Sequence, residues 1–496
     1  MPFAFILGMV YFCAISNPWN GVFFKYSFSL EWCMCFCWYL IIKDVVMKRK
    51  IYGQLLEWKE KRSHKEALLV DGARRVGKSW IVEEFARNEF ESYILIDFSE
   101  VHESVLDLFQ TYKGKWDDFF MHLQLEMGVR LKPGKSLIIF DEIQNFPPAR
   151  EAIKYLVKDG RYSYIETGSL MSINANVKGI NIPSEEHRID MYPMDLEEFM
   201  WALGDDITMD YVRDCYKEKK ALGQSLHRKM MDYLRLYMIV GGMPQAVAEW
   251  VASRDFDEVD YIKRNILDLY RNDISKYAHG QEARVTKIFD SIPSQLQRHE
   301  KKFKLAALGK GTRGRNVETA FFWLEESRVV NTCFAATEPT VGLEMKVEGA
   351  SRKLYMADTG LLISHAFTES SIKADELYRK LLHNKLESNM GMLVENLIAQ
   401  MLRSSGHKLY FYSSYSKTEA ADRMEVDFLI QKPSVTSRHN IHPVEVKSRA
   451  RYTLTSIGRF VRKYENQLAE PIVLHTGDVK VENGVIYLPL YMGGLL

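Results

Sequence analysis

Eight residues constrain this chain more than any others: Gly72-Ala73-Arg74-Arg75-Val76-Gly77-Lys78-Ser79. They stand directly after a short apolar run at 67–70 and open a stretch at 78–87 with helical spacing. Glycine admits backbone conformations that other residues resist, so a loop with Gly72 and Gly77 can turn its amides onto one point. The start of the following helix adds partial positive charge there. Such a loop is built for phosphate. Lys78 neutralises β- and γ-phosphates, and the Ser79 hydroxyl ligates a magnesium ion. ATP with Mg2+ is therefore the expected ligand, held along the loop from Gly72 and Ala73 through Arg74, Arg75, Val76 and Gly77 to Lys78 and Ser79.

An apolar run at 136–140 ends in Asp141 and Glu142. A strand there sets Asp141 at the sheet's carboxyl edge beside the magnesium, and Glu142 polarises the attacking water. The next strand, at 162–166, ends in Glu166-Thr167-Gly168-Ser169. Thr167 or Ser169 is placed to bond the γ-phosphate or the water; a plain strand-to-loop turn is the alternative. Arg188 serves either as an arginine finger or sensor, or as a solvated surface charge. Strands alternate with helices from 67 to 166, with one helix expected over 105–129. That alternation predicts an α/β fold, a parallel sheet with helices on both faces.

The chain has 496 residues and a formal net charge of +1. That length predicts two to four domains, and that charge means any nucleic-acid surface must be a local patch. Cys13, Cys33, Cys35 and Cys37 crowd the first 37 residues, which leaves only Cys215 and Cys333 beyond. This is no disulfide framework, and it predicts a reducing cytoplasm. Cys33, Cys35 and Cys37 alternate in an apolar run without histidines, a poor match to zinc spacings. Residues 1–46 are dense in Phe, Trp, Tyr and Cys. They read as a membrane hairpin or anchor, as an extra buried layer, or as sequence upstream of a biological start at Met47. The last is preferred, because ordinary soluble composition begins at Met47; the first would put the protein at a membrane.

Further along, 197–250 is largely helical, punctuated by Gly241-Gly242-Met243-Pro244, and 256–277 is another helix. After Glu376 a helix precedes strand patterns at 408–412, 425–430 and 442–446. Several stretches together resemble one family: Ala67 to Ser79, Ile139-Phe-Asp-Glu-Ile-Gln144, Thr167-Gly-Ser169, Gly241-Gly-Met-Pro244, Lys353-Leu-Tyr-Met-Ala-Asp-Thr-Gly-Leu361 and Glu395-Asn396. Over 47–496 the chain resembles prokaryotic AAA-plus ATPases whose C-terminal part is a domain of unknown function with a restriction-endonuclease-like fold. That family often carries Gly before the arginine at 188, where this chain has His187.

Asp427, then Glu445-Val446-Lys447, match the D…E-x-K pattern of restriction-type nucleases. Asp427 and Glu445 on neighbouring strands can share a second Mg2+ or Mn2+. Alternation puts Glu445 and Lys447 on one face, where Lys447 orients or deprotonates water. Glu395, on a preceding helix, is the acid such folds commonly add. The alternative is a fold kept for binding, its acids in salt bridges. Arg298, Lys301, Lys302, Lys304, Lys310, Arg313 and Arg315 form a basic run around a helix-turn-helix pattern at 305–308 and 316–326, with a wing strand at 329–336. It either binds DNA, with 316–322 near the major groove, or is a protein contact or solvated face. Phe321, Phe322, Trp323 and Leu324 read as core.

The expected architecture is an AAA-plus ATPase domain with a helical lid at 47–250 and a helical, winged-helix-like connector at 251–375. A restriction-endonuclease-like α/β domain follows at 376–496. The function expected is an ATP-driven switch or motor on nucleic acid. Its rival is a signalling or scaffold ATPase in which ATP controls homo-oligomerisation and the C-terminal fold binds protein.

Overall fold

The apolar runs around the phosphate loop become one sheet. A computed structural model describes residues 47–168, 184–278, 280–298, 302–303, 314–367, 374–383, 390–414, 423–431 and 439–496. Ser169, Lys301, Lys304, Lys310, Arg313, the helix expected at 305–308 and the whole 1–46 segment lie outside the described residues, as do the side chains of Arg315 and Asn316. Among the described residues no helix is long and apolar enough to cross a membrane. Strands β1 (Ala67–Gly72), β2 (Ser92–Asp97), β3 (Ser136–Asp141), β4 (Ser163–Gly168) and β5 (Glu186–Met191) run parallel in the order β2-β3-β4-β1-β5. β1 and β3 are buried along their whole length, which is why they read as unbroken apolar runs. Strand order reverses at β1, and the crevice beyond its carboxyl end is where such sheets bind ligands.

Two expectations need correction here. The helix expected over 105–129 is two, Glu103–Thr111 and Trp116–Met127, because Gly114 between them adopts φ +81°. β5 escaped notice as a strand: its sequence Glu-His-Arg-Ile-Asp-Met buries only Ile189 and Met191, as befits an edge. One face of the sheet is covered by those two helices and Pro147–Asp159, around Phe98, Phe109, Phe119, Phe120 and Phe140.

The segment expected as a lid contains four helices after β5, Leu196–Ala202, Thr208–Glu218, Gln224–Val240 and Pro244–Ser253. Helices Phe256–Tyr277, Glu282–Leu296 and Gly314–Glu326 follow. Phe321, Trp323 and Leu324 are buried as expected, whereas Phe322 is exposed. The hairpin of β6 (Val330–Ala336) and β7 (Val347–Met356) comes next. It does not end as a free wing: β6 pairs in parallel with β8 (Leu409–Ser414), and β9 (Met424–Val426) completes a sheet ordered β7-β6-β8-β9. A boundary at 375 therefore cuts through a sheet. The third sheet contains β10 (Phe428–Gln431), β11 (Ile441–Val446), β12 (Ile472–His475), β13 (Lys480–Glu482) and β14 (Val485–Pro489), ordered β10-β11-β12-β14-β13. The strand expected over 425–430 is split at Asp427, where the chain passes from one sheet to the next.

A buried polar hub joins lid, connector and C-terminal part. Asp358 is fully buried; it accepts from the Gly242 N–H at 2.6 Å and the Leu361 N–H at 2.9 Å. Gln400 on the Met390–Ser404 helix accepts from the N–H and hydroxyl of Thr359, both at 2.8 Å, and donates to the Tyr237 hydroxyl at 2.8 Å. Tyr237 in turn donates to the Met194 carbonyl at 2.7 Å. Asn396 pairs with both backbone groups of Met356. Backbones touch here: a Cβ on Gly360 would lie 2.6 Å from the Gly241 Cα and the Val240 carbonyl oxygen. Gly360→Ala should therefore lose about 1–3 kcal/mol in urea unfolding. Gly53→Ala, in an exposed helical site with no atom within 4 Å of the added Cβ, should gain about 0.5–1 kcal/mol.

Candidate functional site

The phosphate loop leaves β1 at Gly72, where a Cβ would meet the Met191 carbonyl oxygen of β5 at 2.3 Å. Only glycine lets the strand turn that close. At the far end Gly77 takes φ +92° and the helix Lys78–Glu89 begins. Lys78 is buried, and its ammonium donates to the Gly72 and Ala73 carbonyls at 2.9 and 3.0 Å. Burial pushes its pKa down, against the charges of Glu142, Asp71 and Asp141.

Asp141 ends β3 as expected. Its Oδ1 accepts from the Ser79 hydroxyl at 2.9 Å and from the Thr167 hydroxyl. Burial raises its pKa, with the two hydroxyls opposing. Ser79, Asp141 and Thr167 thus bring hard oxygen donors to one point beside the loop, a set that suits Mg2+. Glu142 follows in the left-handed region at φ +50°, and its carboxylate accepts from the Gln144 amide. A non-glycine residue held there costs of order 1–3 kcal/mol, a cost found at functional sites.

Lys78 and Glu142 both face a cavity of about 670 Å³. Its core side includes Ser99 and Asn145, and its far side is Tyr270, Asp273 and Trp323. Arg74 of the loop crosses it to Asp273 at 2.6 Å, and the Tyr270 hydroxyl donates to the Arg74 carbonyl at 3.1 Å. Burial raises the pKa of Asp273, and Arg74 opposes.

Arg188, expected as a finger or sensor or as a solvated charge, is held by ion pairs. It lies on β5, where it pairs with Asp71 at 2.5 Å and Asp190 at 3.5 Å. A fully buried carboxylate one residue before Gly72 draws it to the root of the loop. Arg328, just before β6, reaches the same two acids at 3.1 and 2.9 Å. Another residue missed from sequence is Arg49. Its guanidinium donates to the Val76 and Tyr192 carbonyls at 2.8 and 2.6 Å and lies 3.2 Å from Glu198, tying the loop to the lid. The only sequence signal was the basic run Met47-Lys-Arg-Lys.

In the C-terminal part, continuing the Phe428–Val444 register by one residue sets Asp427 opposite Glu445, and Asp427 accepts from the Val446 N–H at 2.8 Å. Lys447 meets Glu445 at 2.7 Å, on one face as alternation requires. Burial, then the charge of Asp427, raises the pKa of Glu445. Glu395 lies apart from this pair in its bonding. It accepts from Tyr355 at 2.6 Å and pairs at 3.3 Å with Lys353, which also meets Glu425 at 2.7 Å. Lys353 is fully buried; burial disfavours its charge, but Glu425 and Asp427 hold its pKa above the usual lysine value. Among the described residues no three His, Cys, Asp or Glu side chains form a metal-binding group. Around the acids expected to hold a second metal, the ammonium of Lys353 stands beside Glu395 and Glu425, and Lys447 is the cation that meets Glu445. The sequence held Lys353 in the stretch to Leu361, with nothing local to show which acids it would meet.

Three family models match separate parts of the chain. Residues 64–200 match an AAA domain, 231–372 a domain of unknown function (DUF8612), and 390–492 another domain of unknown function (DUF4143). No curated protein matches the chain. Two solved structures align at low similarity. The Aeropyrum pernix ORC1 protein in complex with DNA is 12% identical, covering 68% of this chain and 98% of its own, at a TM-score of 0.25. CDC6P from Pyrobaculum aerophilum is 9% identical, covering 73% and 97%, at a TM-score of 0.23. Scores that far below 0.5 bear on neither fold nor function. The family match at 64–200 and the loop geometry agree: this part of the chain is an AAA-type P-loop ATPase domain.

Proposed function

We propose that this chain hydrolyses ATP and uses the nucleotide as a switch acting on nucleic acid. One observation carries the ATPase reading: Ser79 and Thr167 converge on Asp141 while buried Lys78 and Glu142 face one cavity. Phosphate oxygens offer Lys78 a full negative charge in place of two loop carbonyls, and this draws the nucleotide in. Mg2+ held by Ser79 and Asp141, when bound, offsets phosphate charge. Glu142 accepts the proton of the attacking water as its oxygen bonds to the γ-phosphorus and the bond to the bridging oxygen of ADP breaks. Arg74 lies beside the same phosphates, and its release from Asp273 would carry the nucleotide state to the Phe256–Tyr277 helix. The hub makes lid, connector and C-terminal part answer as one body.

Nucleic acid as target rests on the basic run from Arg298 to Arg315 and on the order helix Gly314–Glu326, then the β6–β7 hairpin, which supports a winged helix. The mixed sheet around β11, with Asp427 beside Glu445, supports a restriction-endonuclease-like C-terminal fold. Lys353 among its acids favours binding over cleavage. The same lysine supports the second reading, a scaffold ATPase that binds protein and self-assembles with nucleotide.

Lys78→Ala should weaken ATP binding more than tenfold in calorimetry and abolish turnover. Glu142→Gln should keep ATP but lower kcat about 100-fold or more; normal turnover would refute its role. Plasmid incubated with Mg2+ or Mn2+, with and without ATP, should stay intact. Cleavage lost in Asp427→Ala would instead make the C-terminal part a nuclease. DNA binding that weakens with salt and with loss of Lys301, Lys302 and Lys304 supports the nucleic-acid reading. No DNA binding, together with ATP-dependent self-assembly, supports the scaffold.

A further inference from the structure

A second cavity, of about 380 Å³, lies where core, connector and C-terminal part meet. Ala73 of the phosphate loop, Arg328 before β6 and Arg403 on the Met390–Ser404 helix each supply part of its wall. Small-molecule sites run from about 300 to 1,000 Å³, so this one suits a compact metabolite and not a large cofactor. Met191, Phe334 and Leu409 line it with apolar surface.

The charges on the wall divide into those that are met and those that are not. Arg328 is held by Asp71 and Asp190, and Lys408 by Glu344. That leaves Arg403 and Glu325, and among the described residues neither forms an ion pair. Arg403 has only weak neutral company. Its guanidinium lies 5.6 Å from the centre of the Tyr192 ring and reaches the His407 carbonyl at 3.5 Å. Neutral partners stabilise a guanidinium less than a carboxylate does. The Tyr410 hydroxyl, on the same wall, bonds to no described residue and is not sealed from solvent. A polyanion drawn to Arg403 would be repelled by Glu325, and a plain cation would meet the reverse. A ligand that brings one charge of each sign answers both, and the apolar wall asks for a hydrocarbon or aromatic body.

We propose that this cavity binds a free α-amino acid with a large apolar side chain. Its carboxylate pairs with Arg403, its ammonium pairs with Glu325, and its side chain lies against Phe334 and Leu409. Lys78 and Glu142 line a different cavity, so the site stands apart from the ATP reading.

The test is calorimetric titration of the full chain with L-phenylalanine and with L-leucine, each beside the same molecule lacking its ammonium and the same molecule lacking its carboxylate. At least one of the two amino acids should bind, and either deletion should weaken its binding about tenfold or more. Arg403→Gln and Glu325→Gln, both at partly exposed positions, should each weaken it about tenfold as well. Lys78→Ala should leave it within twofold of wild type. No binding of either amino acid, undiminished binding of a form lacking one charge, or full affinity in either glutamine variant overturns the proposal. Loss of binding in Lys78→Ala would put the ligand in the nucleotide cavity and overturn it too. Should a glutamine variant fail to fold, the analogues lacking one charge decide on wild type alone.

Discussion

A carboxylate shut away from water holds the lid, the connector and the C-terminal part together. Burial alone pushes the pKa of Asp358 up, and the amides of Gly242 and Leu361 answer it. Hydrogen bonds to a charged group contribute about 1.5–3 kcal/mol each, and a buried charge left without them would cost more. The geometry admits little variation, because the backbones at Gly241 and Gly360 approach within a distance no side chain permits. Around this point Tyr237, Thr359, Asn396 and Gln400 satisfy one another, so the three segments are fastened by a network with high stakes. Other bonds add to it: Asp478 accepts from the Leu222 and Gly223 amides, and His227 meets the Tyr491 hydroxyl at 2.9 Å.

The contacts between the nucleotide core and this fastened body are of another kind. Arg74–Asp273, Arg328–Asp71 and Arg49–Glu198 are ion pairs set around the phosphate loop. Each joins a charge near the loop to an element outside the sheet. A polyanion arriving at Lys78 changes the field at every one of them, whereas the hub, remote in its bonding from the phosphates, has no reason to rearrange. On the proposed reading, charge is where the nucleotide acts and packing carries the result.

The phosphate site was legible because its grammar is local. Glycines, lysine and hydroxyl sit within eight residues, and β1 and β3 are buried end to end. Thr167 was an even choice from sequence and proved to bond Asp141. The partner of Arg188 was not legible, since a buried Asp71 on the neighbouring strand cannot be seen from His187-Arg188-Ile189-Asp190. β5 hid because an edge strand with polar alternation resembles a loop. The parallel pairing of β6 with β8 joins residues more than seventy apart and leaves no local trace. Gly241-Gly242 and Asp358-Thr359-Gly360 stood out as motifs, but that they are two halves of one joint needs the fold. Lys353 shows the same limit for the C-terminal acids: the D…E-x-K spacing names Lys447, which meets Glu445, and omits Lys353, which meets Glu395 and Glu425.

The claim that nucleotide moves the core against one lid–connector–C-terminal body is tested most directly by paired spin-label distances in the Glu142→Gln protein. One pair joins the core to the C-terminal part, at exposed Leu125 and Val481; the other joins the lid to it, at exposed Tyr211 and Val481. The account predicts that ATP shifts the first distance and leaves the second unchanged. A change between Tyr211 and Val481, or no change between Leu125 and Val481, would contradict it.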